Sequence, residues 1–195
     1  MYYGKQAKVL SPQQVNQTLA YLAGNGRNRQ RNRVMFLLSL KGALRAKEIA
    51  NLKWRSVTNS EGQIDEVMTV ETVTSKGRYS GGKVPIASDL RDALAVLLSE
   101  TKNKDGYVVT SERGERLSAQ AVTNWFFNLY KSLGIDGASG HSGRRTAITR
   151  AARLISQVGG SLRDVQAFAR HSSIAATQRY IEINDKAIAV VVDKI

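Results

Sequence analysis

The sequence contains no cysteine, and its 195 residues include only two histidines and two prolines. Without cysteine, neither a disulfide framework nor a thiolate metal site is possible. With two histidines, a zinc site would need several carboxylates as further ligands, so we predict no metal site. The N-terminus has no apolar run of the signal-peptide type, and no stretch approaches a membrane span. We therefore expect a cytoplasmic protein without a membrane partner, encoded by a prokaryote, a phage or a mobile element.

Acidic residues are also scarce. Asp and Glu number 16 against 29 Lys and Arg, which gives a net charge of +13. An excess of base of this size generally indicates a polyanionic partner, although a well-solvated basic surface is the alternative. The length suits a single domain over residues 1–195, and a chain of this size can bury a substantial core.

The N-terminal third predicts helices. Ser11 is a plausible N-cap with Pro12 in the first turn, and apolar residues then recur at helical spacing. A basic segment that includes Arg27 and Arg29 runs into the apolar residues 34–38, which predicts a buried helix with a basic first turn. Because cations at a helix N-terminus oppose the helix dipole, these arginines either contact DNA or belong to a solvated face.

The middle of the chain changes pattern. Residues 64–86 are rich in β-formers, and Lys76-Gly77-Arg78 and Gly81-Gly82-Lys83 flank a turn within them. This pattern predicts a small antiparallel sheet with a basic, glycine-rich hairpin. The remainder predicts further helices. Three of them begin at cap residues, namely Ser88 with Asp89, Ser118, and Ser161 with Asp164, and two others span residues 143–157 and 174–181. The predicted fold class is therefore mixed α+β, mainly α.

The last third concentrates polar chemistry. Both histidines lie there, His141 three residues before Arg144 and His171 nine residues before Tyr180, while Arg45 stands far upstream. Arginine holds a phosphate through bidentate hydrogen bonds and stays charged. A tyrosine hydroxyl can act as nucleophile when a base accepts its proton. These residue types together are those needed to hold and attack a phosphodiester.

Each residue has a role in this hypothesis and an ordinary structural alternative. Tyr180 is the candidate nucleophile, and His141 assists its deprotonation. His171 donates a hydrogen bond to a phosphate oxygen, and Lys76 on the hairpin protonates the leaving 5′-hydroxyl. Taken alone, Arg45 is more often an ion-pair partner, here of Glu48, and a tyrosine in a C-terminal helix is more often half-buried packing.

The order and spacing of these residues resemble the catalytic domain of the tyrosine recombinase (phage integrase) family. The family's boxes are matched by Ala43-Leu44-Arg45-Ala46-Lys47-Glu48-Ile49, by Lys76 before Val84-Pro85-Ile86, by His141-Ser142-Gly143-Arg144, and by Ala169-Arg170-His171-Ser172-Ser173-Ile174 with Arg179-Tyr180. The resemblance covers nearly the whole chain. The match around His171 and Tyr180 is its most specific part, and the lysine match is its weakest.

The resemblance implies an integrase-like catalytic domain that cleaves and rejoins double-stranded DNA through a 3′-phosphotyrosine, without metal or nucleotide cofactor. It also implies a tetramer on paired sites, in which the apolar tail 186–195 is exchanged in trans; packing of the tail on its own core is the alternative. The family's N-terminal core-binding or arm-binding domain is expected to be absent. Two other functions remain open, a type IB topoisomerase-like nicking-closing enzyme and a non-catalytic DNA-binding accessory module.

Two departures from the family pattern affect individual residues. Arg170 stands where the family usually has glycine, so the backbone turn there either accepts a side chain or Arg170 contacts phosphate. The hairpin is longer than usual, so Lys83 competes with Lys76 as the general acid. Six basic residues are predicted to contact DNA: Arg27, Arg29, Arg78, Lys83, Arg145 and Arg170.

Overall fold

The computed structural model describes residues 6–24, 26–71, 81–114, 116–181 and 192–193. Lys76, Arg78 and most of the tail 186–195 lie outside the described residues. The α-helices of the described part are α1 (Pro12–Gly24), α2 (Arg29–Leu40), α3 (Ala46–Asn51), α4 (Ser88–Glu100), α5 (Ala119–Ser132), α6 (Ser142–Leu154), α7 (Leu162–Ala169) and α8 (Ile174–Gln178). Short 3₁₀ helices follow α3 at Trp54–Ser56 and α6 at Ile155–Val158. The predicted fold class, mainly helical with a small antiparallel sheet, is confirmed.

Helix α2 is the centre of the main core. Every residue from Val34 to Leu40 is buried, so this helix has no solvated face in its second half. Helices α1, α3, α4 and α6 all pack against α2. A helix that is apolar on all sides is stable only when neighbours cover it completely, which explains the central position of this segment.

Several predicted helix starts are confirmed by cap hydrogen bonds. The Ser11 hydroxyl accepts from the Gln14 backbone N–H at 3.1 Å, and the Ser118 hydroxyl accepts from Ala121 in the same way. Ser161 and Asp164 form the predicted capping box. The predicted cap at Ser88 is wrong, because α4 already includes Ser88 and its N-cap residue is Ala87.

The sheet is an antiparallel pair of strands, β1 (Val67–Val70) and β2 (Gly82–Pro85). Met68 pairs with Val84, and both side chains are buried against the core. Thr69 pairs with Lys83 on the opposite, exposed face. This alternation follows from the period of two in a strand with one covered face, and it directs Lys83 into solvent.

Two C-terminal helices are shorter than predicted. Helix α6 ends at Leu154 instead of continuing to residue 157, because the chain tightens into a 3₁₀ helix before Gly159 at φ 79°. Helix α8 ends at Gln178, three residues before the predicted end. Tyr180 consequently lies beyond α8 in a turn, where its backbone N–H donates to Thr177 O at 3.0 Å.

A second, smaller apolar cluster joins the loop after α2 to helices α6 and α7. Its buried members are Ala43, Ala147, Ile148, Val165 and Ala169, and the Tyr180 ring packs against it. This cluster brings the C-terminal end of α2 close to the turn that follows α8. None of the helices in the described ranges has the length and apolar character to cross a membrane.

Candidate active site

Five of the six predicted catalytic residues line one cavity of about 330 Å³. Its walls are formed by Ala7, Arg45, His141, Arg144, Arg145, His171 and Tyr180. These residues come from the start of α3, the start of α6, and the segments on both sides of α8. The sixth residue, Lys76, lies outside the described residues. Folding therefore brings together five of the side chains that were predicted from the sequence. Their positions span 136 residues of sequence, from Arg45 to Tyr180.

Arg45, the N-cap residue of helix α3, is held in place by a buried carboxylate. Its guanidinium donates to Glu48 Oε1 at 2.8 Å, and its backbone N–H donates to Glu48 Oε2 at 2.7 Å. The Glu48 side chain is 2% exposed and that of Arg45 is 36% exposed. The ion pair with Glu48, predicted from the sequence as the alternative to a catalytic role of Arg45, therefore exists. It fixes the guanidinium at the cavity wall and leaves part of it exposed.

Arg144 is almost completely buried beneath the cavity. Its two terminal nitrogens donate to the carbonyl oxygens of Ala43 and Ala169, the second at 2.6 Å. Burial, together with the positive charge of Arg45, lowers the pKa of Arg144 to about 10. The guanidinium therefore remains charged at neutral pH, and its orientation is set by two backbone carbonyls from opposite sides of the site.

His171 is fixed by a threonine and covers the tyrosine ring. Its Nδ1 lies 2.9 Å from the hydroxyl of the fully buried Thr177. Its ring stacks on that of Tyr180 with centroids 5.5 Å apart and an interplanar angle of 28°. Burial, followed by the positive charge of Arg144, lowers the pKa of His171 to about 4. The imidazole is therefore neutral at neutral pH, and Thr177 occupies Nδ1 while Nε2 is left for another partner.

His141 is the N-cap residue of α6 and is exposed to solvent. Its backbone N–H donates to the Ser139 hydroxyl at 3.3 Å. Helix α6 approaches α2 closely at Gly143, where an added Cβ would lie 2.5 Å from the Ser39 hydroxyl oxygen. The small residue between His141 and Arg144 thus allows both to reach the cavity from one helix start.

Tyr180 lies between cationic groups. The guanidinium carbon of Arg145 is 5.8 Å from the centre of its ring, and the charge of Arg144 also acts on it. The tyrosine is therefore placed beside the cationic side chains of the cavity that could hold a phosphate.

The residues predicted to contact DNA occupy different places. Arg145 lines the cavity, and Lys83 is exposed on β2. Arg27 and Arg29 are exposed near the start of α2. The start of this helix lies roughly 18 Å from its C-terminal end, at a rise of 1.5 Å per residue. They are thus not brought together with the cavity. Arg78 lies outside the described residues.

Arg170 is not at the surface. Its residue is 6% exposed, and its guanidinium donates to Glu48 Oε2 at 2.8 Å. Its backbone adopts the left-handed conformation that the family's glycine would favour, with φ 54°. The turn thus accepts a side chain, which folds inward. This position does not favour the predicted phosphate contact.

Three groups that support the site were not predicted from the sequence to have a functional role. They are the Glu48 carboxylate, the Thr177 hydroxyl and the Ala43 carbonyl. Glu48 carried a signal, because it follows Arg45 by three residues, the spacing of a capping box. Thr177 carried none, because its contact with His171 six residues earlier depends on the fold of the turn before α8. The Ala43 carbonyl carried none, because Arg144 lies 101 residues away in sequence.

The arrangement suits one kind of ligand. Two arginines, one partly open and one buried, offer charged donors that can approach two oxygens of a phosphate. A neutral imidazole supplies a further donor, and a tyrosine hydroxyl stands beside them. Since fixed donors in a partly enclosed cavity act most strongly on charge that develops during a reaction, the site is suited to phosphoryl transfer to tyrosine.

Comparisons with known proteins agree with this geometry. The sequence profile described as "Phage integrase family" matches residues 8–187. No curated protein matches the chain. The fold is similar to that of the Tn1549 transposon integrase in complex with circular intermediate DNA, with a TM-score of 0.78 and 18% identity over 99% of this chain and 69% of that one.

Two further solved structures have the same fold. XerA recombinase gives a TM-score of 0.74 and 22% identity over 96% of this chain and 64% of its own. A lambda integrase dimer bound to a COC′ core site gives 0.68 and 17% over 93% of this chain and 53% of its own. The chain thus spans between about half and two thirds of these proteins, and its profile match covers most of its own length. It belongs to the phage integrase family, whose members are tyrosine-type site-specific DNA recombinases.

Proposed function

We propose that this chain cleaves and rejoins double-stranded DNA at specific sites, with Tyr180 as the nucleophile. The observation that carries the proposal is the single cavity lined by Arg45, His141, Arg144, His171 and Tyr180. In this reaction the Tyr180 oxygen attacks the scissile phosphorus, and the bond from phosphorus to the 5′-oxygen breaks. The products are a 3′-phosphotyrosine and a free 5′-hydroxyl. Rejoining needs no nucleotide cofactor, because the ester keeps the energy of the broken bond.

The arginines neutralise the phosphate. Arg45 and Arg144 bind the two non-bridging oxygens, whose charge increases as the fifth oxygen approaches phosphorus. His171 donates a third hydrogen bond to the phosphate from Nε2, in keeping with its neutral form and its contact to Thr177 through Nδ1. These donors are already fixed by Glu48 and by backbone carbonyls, so little reorganisation is needed when DNA binds.

Proton transfer needs two further groups. His141, exposed at the cavity, accepts the proton of the Tyr180 hydroxyl. Lys76 gives a proton to the departing 5′-oxygen, and its support is its place in the family's lysine box. Lys83 is the less suitable general acid, because its side chain lies on the exposed face of β2 and does not line the cavity.

DNA contacts extend beyond the cleavage point. Arg145 lines the cavity and is suited to a phosphate next to the scissile one. Lys83, Arg78, Arg27 and Arg29 contact the duplex farther away, supported by the net charge of +13. Each phosphate neutralised releases counterions, so affinity falls steeply with salt.

The active assembly is a tetramer on paired DNA sites, in which the tail 186–195 of one protomer packs on its neighbour. The support is family membership and the run of six apolar residues Ala187-Ile188-Ala189-Val190-Val191-Val192. An apolar segment of this kind generally marks an interaction surface. A chain that lacks 186–195 is expected to bind DNA but to lose tetramers in native gel shifts and strand exchange. Unchanged tetramers would contradict this part of the proposal.

The test of the function uses the covalent product and does not require the target sequence in advance. The protein is incubated with a library of randomised duplexes that each carry a nick. After cleavage, the short fragment with the free 5′-hydroxyl diffuses away from the nicked duplex, so the covalent 3′-adduct cannot be resealed and accumulates. Protein–DNA adducts are captured under denaturing conditions, and the attached strands are sequenced. We expect a strongly enriched sequence with cleavage at one position.

The matched control is Tyr180→Phe, which keeps the ring and removes only the hydroxyl. It should yield no adduct while binding the enriched duplex with nearly the affinity of the wild type. An equal yield of adduct from both proteins would rule out the proposal. Strand exchange between two copies of the enriched site then separates recombination from nicking and closing of one strand.

A further inference from the structure

Arg170 is a buried charge next to the cavity residue His171, and its backbone adopts a conformation that is unfavourable for a residue with a side chain. Its side chain is 2% exposed, and φ is 54°. Burying a guanidinium is costly unless it is paired and hydrogen-bonded. A non-glycine residue in the left-handed region costs additional free energy. Both features suggest that the position of this side chain has a function.

The contacts of Arg170 join three segments of the chain. Its Nη2 donates to Glu48 Oε2 at 2.8 Å and to Ala43 O at 2.9 Å. Its Nη1 donates to Phe168 O at 3.1 Å, with a longer contact to Gly42 O at 3.4 Å. The side chain thus connects the loop after α2, the start of α3 and the end of α7.

Two of these acceptors also hold the arginines of the cavity. The Glu48 carboxylate binds Arg45 through its other oxygen, and the Ala43 carbonyl also accepts from Arg144. Arg144 donates its second hydrogen bond to Ala169 O, in the peptide that joins Ala169 to Arg170. Any displacement of Arg170 would therefore reach both Arg45 and Arg144.

The balance of charge gives Arg170 a second effect. Glu48 is the acidic partner of both Arg45 and Arg170. Without Arg170, the buried carboxylate would lose one of its cationic partners, and more of its negative charge would offset the positive charge that Arg45 and Arg144 offer to an anion. With Arg170 in place, the charges of three guanidiniums act against that of one carboxylate, so the cluster offers a larger net positive charge to the cavity.

We propose that Arg170 is a positioning residue for phosphate: it neutralises Glu48 and orients Ala43, so that Arg45 and Arg144 present their full charge to the scissile group. This inference rests on the proposed strand cleavage. It differs from a direct phosphate contact by Arg170, because within the described part of the chain the hydrogen bonds of Arg170 run to Glu48 and to carbonyl oxygens inside the protein.

The first measurement is independent of the DNA target. Orthovanadate is a tetrahedral anion that can add a fifth ligand as a transferring phosphoryl group does, and its affinity for the DNA-free protein is measured by calorimetry. We expect Arg170→Met to weaken orthovanadate binding at least about 10-fold, with partial recovery in Arg170→Lys, which keeps the charge. The matched control is Arg31→Met, because Arg31 is also partly buried and bonded to a carbonyl, Thr110 O at 2.9 Å, but does not line the cavity.

The second measurement compares two duplexes that carry the sequence enriched by the adduct selection. One has the natural scissile phosphodiester, and the other has a methylphosphonate, which replaces one charged non-bridging oxygen by a methyl group. Arg170→Met should slow adduct formation on the natural duplex about 10- to 100-fold, the range expected for misplaced catalytic groups. On the methylphosphonate the loss should shrink below about 3-fold, since only interactions with the developing charge affect the rate. Glu48→Gln combined with Arg170→Met should recover part of the rate on the natural duplex.

The outcomes separate the two proposals. An equal loss on both duplexes, or unchanged orthovanadate affinity in folded Arg170→Met, would overturn the positioning role. If Arg170→Met does not fold, the same criteria apply to Arg170→Gln, which also removes the charge. Absence of any adduct with the wild type would overturn strand cleavage instead, while the orthovanadate series would still decide whether Arg170 controls the anion site.

Discussion

The ring of His171 stacks on the ring of Tyr180, with centroids 5.5 Å apart. The proposed phosphate donor and the proposed nucleophile therefore hold each other in place, although the turn after α8 carries Tyr180 outside any helix. Replacing Tyr180 by phenylalanine keeps this contact, so that variant isolates the hydroxyl from the packing.

The ionisation of His171 should make stability depend on pH. Its folded-state pKa of about 4 lies below the ordinary value of 6.5. Between these values the unfolded chain binds a proton that the folded chain does not. The free energy of unfolding should consequently rise with pH from about 4 to about 6.5 through this group. Urea unfolding of the wild type and of His171→Asn across this window checks the prediction. A slope that is equal in both proteins would contradict it.

Thr177 should matter through His171. When its hydroxyl donates to Nδ1, the ring proton lies on Nε2, where a phosphate oxygen can accept from it. Thr177→Val should slow adduct formation about 5- to 10-fold, which corresponds to the ~1 kcal/mol typical of one hydrogen bond. Thr177→Ser keeps the hydroxyl and should remain within about 2-fold of the wild type. Equal rates in Thr177→Val and the wild type would show that the contact does not orient the ring.

Gly143 should tolerate no side chain. A Cβ there would lie 2.5 Å from the Ser39 hydroxyl and 2.9 Å from Ser39 Cβ, whereas at Gly140 it would meet Thr123 atoms no closer than 3.5 Å. Gly143→Ala should lower the free energy of unfolding by about 1–3 kcal/mol, the usual cost of overpacking, and Gly140→Ala much less. Chemical denaturation compares the two variants. If Gly140→Ala is the more damaging, the close approach of α6 to α2 is not the constraint.

The general acid can be identified with a modified leaving group. A 5′-thiol leaves without protonation, so a duplex with this leaving group should restore cleavage by Lys76→Ala. Lys83→Ala should cleave both the normal and the 5′-thiol duplex at nearly the wild-type rate. The physical reason for the difference is that Lys83 is exposed on β2 and does not line the cavity. Rates of adduct formation on normal and 5′-thiol duplexes test it. Rescue of Lys83→Ala alone would transfer the role to Lys83.

Local sequence patterns predicted much of the fold. Helix starts at Ser11 and Ser118 were predictable because a side chain caps a backbone group three residues away, a purely local interaction. The end of α8 was not, because apolar spacing continues to Ile181 while the hydrogen bonding of the last turn changes at Gln178. Helix ends depend on tertiary surroundings more than helix interiors do.

The site was predictable from residue order, but its supporting contacts were not. Arg45, Arg144 and Tyr180 were predicted from their match to the family's sequence boxes. The inward direction of Arg170 depends on a carboxylate 122 residues away, and no local pattern encodes that pairing. The side chain was predicted to contact DNA because it stands before His171, where the family usually has glycine. Here Glu48 and the carbonyls of Ala43 and Phe168 accept hydrogen bonds from its two terminal nitrogens instead.

The central claim is that Tyr180 itself becomes joined to DNA, and peptide mapping of the adduct tests it most directly. After nuclease digestion of the trapped DNA, trypsin should release the segment between Arg179 and Lys186, which begins at Tyr180 and contains no other tyrosine. The account predicts that mass spectrometry finds a nucleotide 3′-phosphate on Tyr180 of this peptide and on no peptide of Tyr180→Phe. A nucleotide attached to any other residue of the wild type would contradict it.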